Sequence, residues 1–414
     1  MSTLASTLFI RSVRFRFKSA VMHYFRRTLF FRASLLLLFG FPARADDRVL
    51  IDATVNGVPI SFAIDTGAGG GLIIWAATAK RLGLKIIPPP SNIKPLPGKA
   101  LLSKTVPCTL EVLGENFLGT ELEIFDDQET AFLGCDGVIG WGLLKQHGMV
   151  LSLADHKLLL SDEIPDDLST WSKLRIRTDL PTLCLEVPSK SQGAKVIEID
   201  TGNFAGVALP PSEWEKWVAD HPKQRLTARL TFMPGAGNVG DGEGWADKFS
   251  IGDLFLTEVP VNQSNIAQRI DTGGASYGGS LGLAALKRID LVINSAKGVA
   301  YAKPRTEPAE PYPHNRLGAI FTSDDTSSGP LVAHPFKGSP AYRAGIREGD
   351  RLLQIDSVDV TSWRTRPSTG PLDSTYWYRP AGSKSTLLLR RGSQTYSVNV
   401  VLENIIGPDA SAQN

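Results

Sequence analysis

Hydrophobic and polar positions alternate in two runs between Val49 and Asp65, VLIDATV and VPISFAID, with Asn56-Gly57 between them. A period of two turns one face of each run toward a core, and Asn-Gly readily takes the positive φ angles of a two-residue turn, so the segment predicts a β-hairpin. The arrangement returns further on: LCLEV and AKVIEID, joined by a turn containing Gly193, predict a hairpin that runs into Asp200. An apolar run and a predicted helix follow each pair. The first helix covers Trp75 to Leu82 and is stopped by Gly83; the second begins at SEWEKWV, where Ser212 and Glu215 have capping-box spacing. Pro97-Gly98 and Pro234-Gly235 predict hairpin tips, and LEVLGENFLGTELEIF and FSIGDLFLTEVPV predict strand-turn-strand units around Gly114 and Gly252. DGVIGWGLL with MVLSLADHKLLLS, and GGSLGLAAL with DLVINSAKGVAYA, close the two series. Five landmarks in one order, met twice, imply an internal duplication of a β-rich unit.

The pattern divides the chain into a first copy over residues 46–165 and a second over 173–304. KPRTEPAEPYPHN, from Lys303, is rich in proline and predicts a semi-rigid linker over 305–315. A separate unit then covers 316–405, ahead of a frayed tail over 406–414. Within that unit Ser339 is placed to cap a short helix with Pro340 at its first position and Gly345 at its end, and Glu348-Gly349-Asp350 turns into the strand RLLQIDSVDV.

The first 45 residues carry eight Arg or Lys and no Asp or Glu, then run through ASLLLLFGF to ARA. This is the shape of a secretory signal cut after Ala45, and the apolar run from Ala33 to Phe41 is short for a bilayer span. Met22 is an alternative start, and an uncleaved anchor is the alternative fate. The expected location is a periplasm or the cell exterior. Removing the eight cations from 44 leaves 36 basic residues against 42 acidic, which argues against nucleic acid as a partner. Cys108, Cys135 and Cys184 are an odd set for an exported chain and have no metal-site spacing; they are expected in the core, and no cofactor is implied.

Asp-Thr-Gly occurs three times. Asp271 follows NIAQR, which is no apolar strand, and reads as a turn. Asp65 and Asp200 each end an apolar β-run and open a glycine-rich stretch, which exposes an acid at a strand end while Gly67 and Gly202 let the backbone approach a ligand. Two such copies facing one another would bring the carboxylates together. Like charges at that range do not both ionise readily, so the pair would share a proton and titrate as a unit. One carboxylate could then take a proton from a water while the other donates to a carbonyl oxygen, which is peptide hydrolysis without a covalent intermediate.

With Asp65-Thr66-Gly67, Asp200-Thr201-Gly202 and the later Val138-Ile139-Gly140, both copies resemble the pepsin and retropepsin class of aspartic peptidases; the second copy has Ser280 before Leu281-Gly282 at the last landmark. The resemblance implies a mainly β, bilobal acid-protease fold whose two barrel-like lobes flank a cleft under a hairpin flap. It also implies a cross-lobe grip between Thr66 and Thr201, apolar-apolar-Gly segments supporting the catalytic loops, and activity as a monomer. Ala68 with its following glycines, and LGL at Leu82, look closer to bacterial retropepsin-like proteins than to pepsin. The first copy has no Tyr for a pepsin-like flap, which leaves that work to backbone and groups such as Leu101 and Leu102. Ala68 stands where pepsin has a hydroxyl residue, which predicts activity nearer neutral pH.

GSPAYRAGIREGDRLLQIDSVDV is similar to the bacterial form of the PDZ domain. That likeness would place Leu317, Gly318, Ala319 and Ile320 in the carboxylate-binding loop and the strand after it, receiving a peptide C-terminus or strand by β-augmentation. The expected protein is an exported aspartic endopeptidase acting on polypeptides, with a PDZ domain that recruits substrate or regulates the cleft. The alternative is a non-catalytic peptide-binding protein on the same scaffold.

Overall fold

Asn56 and Gly57 take φ angles of 49° and 78°, closing the two-residue turn between strands Leu50–Val55 and Val58–Asp65. The computed structural model describes residues 49–408 apart from 89–101, 113, 126–133, 156, 161–164, 166, 189–193, 234–236, 265–275, 323–329, 362 and 364–375. The leader, both Pro-Gly tips, Leu101 and Asp271 lie outside the described residues.

The chain is mainly β, with curled sheets. Its duplication is visible in the strand order. In the first lobe the short strand Gly137–Gly140 lies between Val58–Asp65, parallel to it, and Leu72–Trp75, antiparallel to it. In the second, Ser276–Leu281 lies between Lys195–Ile199, again parallel, and Val207–Leu209, again antiparallel. One core runs through both lobes, from Phe62, Ile64 and Ile139 in the first to Ile197, Ile199 and Leu281 in the second. The lobes also share a sheet, because Met149–Ser152 of the first pairs antiparallel with Ile289–Asn294 of the second.

One local reading is corrected. The helix after the second triplet spans Pro211–Asp220 with Pro210 at its N-cap and no side-chain cap, so Ser212 and Glu215 do not form a capping box. Proline's fixed φ suits the first helical position and starts the helix at Pro211, two residues earlier than a Ser212 cap would. Its Trp214 and Trp217 stack at 5.3 Å between ring centroids, and Gly242 and Gly244 leave room for them: a Cβ at either would stand 2.9 Å from an indole.

The proline-rich segment is no free spacer. Ala309 N–H donates to Glu258 at 2.6 Å, Tyr312 Oη donates to Glu243 at 2.6 Å, and His314 Nε2 accepts from Ile405 N–H at 3.0 Å. Ile406, placed in the tail by composition, is buried with Ile405 against Trp245 of the second lobe. Prolines remove backbone donors from this segment, and its side chains and remaining amides find partners on the lobe instead. The C-terminal unit has its own core around Leu317, Phe321, Leu352 and Trp377, under a sheet whose edge strand is Ala319–Thr322. Ser339 caps the helix Pro340–Arg343 through Tyr342 N–H.

Candidate active site

Asp65 ends its strand, and Asp200 follows directly on Lys195–Ile199. The loops after them are near copies in their bonding. Gly67 and Ala68 N–H groups donate to Asp65 Oδ1, both at 3.0 Å, and Gly202 N–H donates to Asp200 Oδ1 at 3.0 Å. Gly140 N–H donates to Gly71 C=O at 3.0 Å and Trp141 N–H to Ala68 C=O at 2.8 Å; Gly282 N–H donates to Gly206 C=O at 3.0 Å and Leu283 N–H to Asn203 C=O at 2.7 Å. Val138 and Ile139 pair with Ala63 and Ile64, and Leu281 with Ile199, so each apolar-apolar-Gly segment braces the strand that carries an acid.

The threonines lock the two loops to each other. Thr66 N–H donates to Thr201 Oγ1 at 3.0 Å and Thr201 N–H to Thr66 Oγ1 at 3.2 Å. Each hydroxyl also donates across the interface, Thr66 to Ile199 C=O at 2.5 Å and Thr201 to Ile64 C=O at 2.9 Å. Both threonines are buried. This crossing sets each carboxylate against the opposite triplet: a Cβ on Gly67 would stand 2.5 Å from Asp200 Cγ, and one on Gly202 2.4 Å from Asp65 Cγ. Only glycine fits at either place. The Asp200 carboxyl is held well above the usual carboxylate range, by burial first and then by the charges of Asp65 and Glu198.

Residues 51–136, the first triplet among them, match the aspartyl protease family, and residues 333–366 match the PDZ domain family. The chain carries an aspartyl protease domain and a PDZ domain. The protease match ends just before Gly137, so the second lobe's relation to the first rests on the repeated topology and bonding above. No curated protein matches the chain.

The protease site holds one acid that the sequence reading passed over. Glu198 lies two residues before Asp200, on the same face of its strand, and is buried. Tyr277 Oη donates to its Oε2 at 3.4 Å, Cys184 and Ser280 pair with it from the neighbouring strands, and Thr182 also hydrogen-bonds it. Its carboxyl is pushed up to about 7, chiefly by burial, with the Asp65 charge adding and the Thr182 and Tyr277 hydrogen bonds opposing. The same burial pushes the Cys184 thiol up to about 12, which leaves it a neutral core group. Superposing IEIDTG on FAIDTG would have exposed Glu198, because the matching residue in the first copy is Ala63.

Ala68 offers Asp65 an amide but no hydroxyl, and Asn203 turns its Oδ1 to Ala205 N–H at 2.9 Å. Asp136 is a brace: it accepts from Ser61 N–H at 3.0 Å and from Arg81 at 2.6 Å. Cys108 and Cys184 are buried and Cys135 is half-buried; among the described residues no group of acids, His and Cys could hold a metal, and no helix is long and apolar enough to cross a membrane. In the PDZ domain Leu317 and Ala319 side chains enter the core, Gly318 takes a φ of 70°, and Ile320 turns outward against Ala228 and Leu230 of the protease's second lobe.

Proposed function

We propose that the chain is an exported, single-chain aspartic endopeptidase in which Asp65 and Asp200 act as one dyad. The reading is carried by the crossed arrangement in which each carboxylate rests against the glycine of the other triplet. Asp200, whose carboxyl is raised by burial and then by the Asp65 and Glu198 charges, holds the shared proton at rest, and Asp65 is the ionised partner. Asp65 removes a proton from a water set between the two while Asp200 donates to the scissile carbonyl oxygen, giving a tetrahedral diol. The proton taken by Asp65 then passes to the amide nitrogen as the C–N bond breaks, while a diol hydroxyl returns its proton to Asp200, leaving a carboxylic acid, a free amine and the pair as it began. The loop amides on each Oδ1 and the threonine grip keep the carboxylates fixed through both steps.

Polypeptide is the substrate class, and the PDZ domain supplies a second peptide site on the same chain. Both acids come from one chain, so a monomer suffices. The arginine-rich leader and its short apolar run support export. Purified residues 46–414 are expected to cleave unfolded casein, and Asp65→Asn or Asp200→Asn to lower the rate by at least ~100-fold. Full activity in either variant overturns the dyad; a folded, peptide-binding chain with no cleavage favours the non-catalytic reading. Periplasmic or extracellular recovery of the chain, against retention with membranes or cytosol, tests export.

A further inference from the structure

The PDZ domain's peptide site already contains a side chain. Asn315, fully buried, directs its Oδ1 at two consecutive backbone amides, accepting from Leu317 N–H at 3.1 Å and Gly318 N–H at 3.0 Å. Consecutive amides converging on one oxygen form a concavity suited to a carboxylate. The other end of the same carboxamide donates from Nδ2 to Ala319 C=O at 2.9 Å. Gly318 C=O accepts from Phe336 N–H at 2.9 Å, so Ala319 and Pro335 form the next, non-hydrogen-bonded pair and the Ala319 carbonyl points to the unpaired edge of the sheet, where an added strand would donate. One asparagine thus makes both kinds of bond that an incoming chain end would make: an oxygen on the amides and an N–H on the edge carbonyl.

Asn315 is also fastened on its other side. Its own C=O accepts from the hydroxyl of Thr227, a buried residue of the second protease lobe, and the preceding His314 is pinned by Ile405 N–H. Next to it, Ile320 of the edge strand packs on Ala228 and Leu230, so closely that a Cβ on Gly240 would stand 2.0 Å from Ile320 Cδ1. The residues that would receive a peptide are therefore the residues through which the PDZ domain grips the lobe that carries Asp200.

We infer that Asn315 is an internal stopper of the PDZ carboxylate site, that free peptide C-termini bind by displacing it, and that displacement loosens the Thr227–Leu230 contact with the second protease lobe. The ligand class is an extended peptide with an ionised terminal carboxylate, whose charge gives it stronger bonds to the amides than a neutral carboxamide makes. The inference rests on the PDZ domain and not on peptidase activity.

The test uses the full chain with Asp65→Asn, so that the peptide probe survives and failure of cleavage is not mistaken for failure of binding. Peptides selected by this protein and its Asn315→Ala form from a random heptapeptide library with free C-termini are titrated by fluorescence anisotropy, beside their C-terminal amides. Asn315→Ala is expected to bind about tenfold more tightly than the parent, Asn315→Asp no more tightly, and the amides weakly or not at all. In the parent, hydrogen exchange over residues 227–230 and 314–318 is expected to quicken when peptide is added. Equal affinity of the parent and a folded Asn315→Ala form, equal binding of the amides, or selection of no peptide by either protein overturns the stopper. Should Asn315→Ala fail to fold, the exchange arm in the parent decides, and peptide binding that leaves both segments unchanged overturns the coupling.

Discussion

The Thr66 hydroxyl accepts the Thr201 backbone N–H at 3.2 Å, and the Thr201 hydroxyl accepts the Thr66 N–H at 3.0 Å, so each threonine both gives a bond to the other and takes one from it. Thr66→Val leaves the Thr201 N–H and the Ile199 C=O buried without their partner, at a cost of about 1–3 kcal/mol for each orphaned group. Thr201→Val is expected to cost a similar amount, and the double variant less than the sum, because each single change already breaks the shared network. Urea denaturation of the four proteins measures this; strict additivity would mean that the hydroxyls act independently. Thr66→Ser keeps the hydroxyl and should retain most of the stability.

Glu198 makes stability and activity depend on pH in a direction opposite to that of an ordinary paired carboxylate. Its folded value, about 7, lies above the roughly 4.3 of an unfolded glutamate, so the folded state binds the proton more tightly. The favourable contribution is complete below about pH 4.3 and is lost as pH rises through 7, to a total of up to about 3–4 kcal/mol. Glu198→Gln keeps the shape and cannot ionise. It should match the parent near pH 4 and gain on it steadily toward pH 8, as read from thermal midpoints across that range. A constant difference between the two proteins would show that Glu198 does not titrate in the folded chain.

The same carboxylate bears on the dyad. Once ionised above pH 7, Glu198 adds a negative charge that raises the Asp200 carboxyl further and so favours the proton the proposed pair would share. Removing that charge with Glu198→Gln is expected to move the alkaline limb of the pH–rate profile to lower pH and to leave the acid limb nearly in place. Casein hydrolysis from pH 3 to 9 reads both limbs. An unchanged alkaline limb would separate Glu198 from the proton shared by the pair.

What could be read in the sequence follows from which interactions are local. The hairpin at Asn56-Gly57 and the stop at Gly83 depend on positive φ angles that few residues accept, so the residue names reveal them. The two triplets stood out because the strands and glycines around them repeat. Glu198 was concealed by the alternation that made its strand recognisable, since an acid every second residue ordinarily faces water, and only the strands bearing Cys184 and Ser280, packed on either side, bury it. The anchoring of the linker was hidden for a related reason. Its partners Glu243 and Glu258 lie 69 and 51 residues away from Tyr312 and Ala309, and proline content carries no information about them. Asn315 is likewise silent in the sequence, because its significance lies in which amides its side chain meets.

The buried pair Arg229 and Glu243, 3 % and 1 % exposed at their side chains, joins the proline-rich segment to the second lobe through Tyr312. Removing one charge from such a pair leaves the other without compensation, so Arg229→Met is expected to cost about 3–5 kcal/mol. Replacing both with Arg229→Met and Glu243→Met should recover part of that loss, because the desolvation of two ions disappears with them while buried Asp241, opposite Arg229, still loses its cation. Chemical denaturation of the singles and the double gives the comparison, and a double variant no more stable than the worse single would mean that the uncompensated charge is not what makes the single change costly.

The strongest sign that the lobes are copies is a steric one, and it can be tested without an assay for activity. A Cβ on Gly140 would stand 2.0 Å from the Gly70 carbonyl oxygen, and one on Gly282 2.5 Å from that of Ala205. Both contacts are with backbone, which a rotamer change cannot relieve, and in each lobe that backbone belongs to the loop after the acid. Gly140→Ala and Gly282→Ala should therefore each cost at least the roughly 1–3 kcal/mol typical of an overpacked core, and both should lower activity because the displaced loop holds a carboxylate. Gly114→Ala serves as the comparison: its φ is 80°, but nothing lies within 4 Å of the added carbon, so it should lose about 1 kcal/mol through backbone strain alone and keep its activity. Equal losses in all three would mean that strain at the glycine, rather than contact with the acid-bearing loops, governs the site.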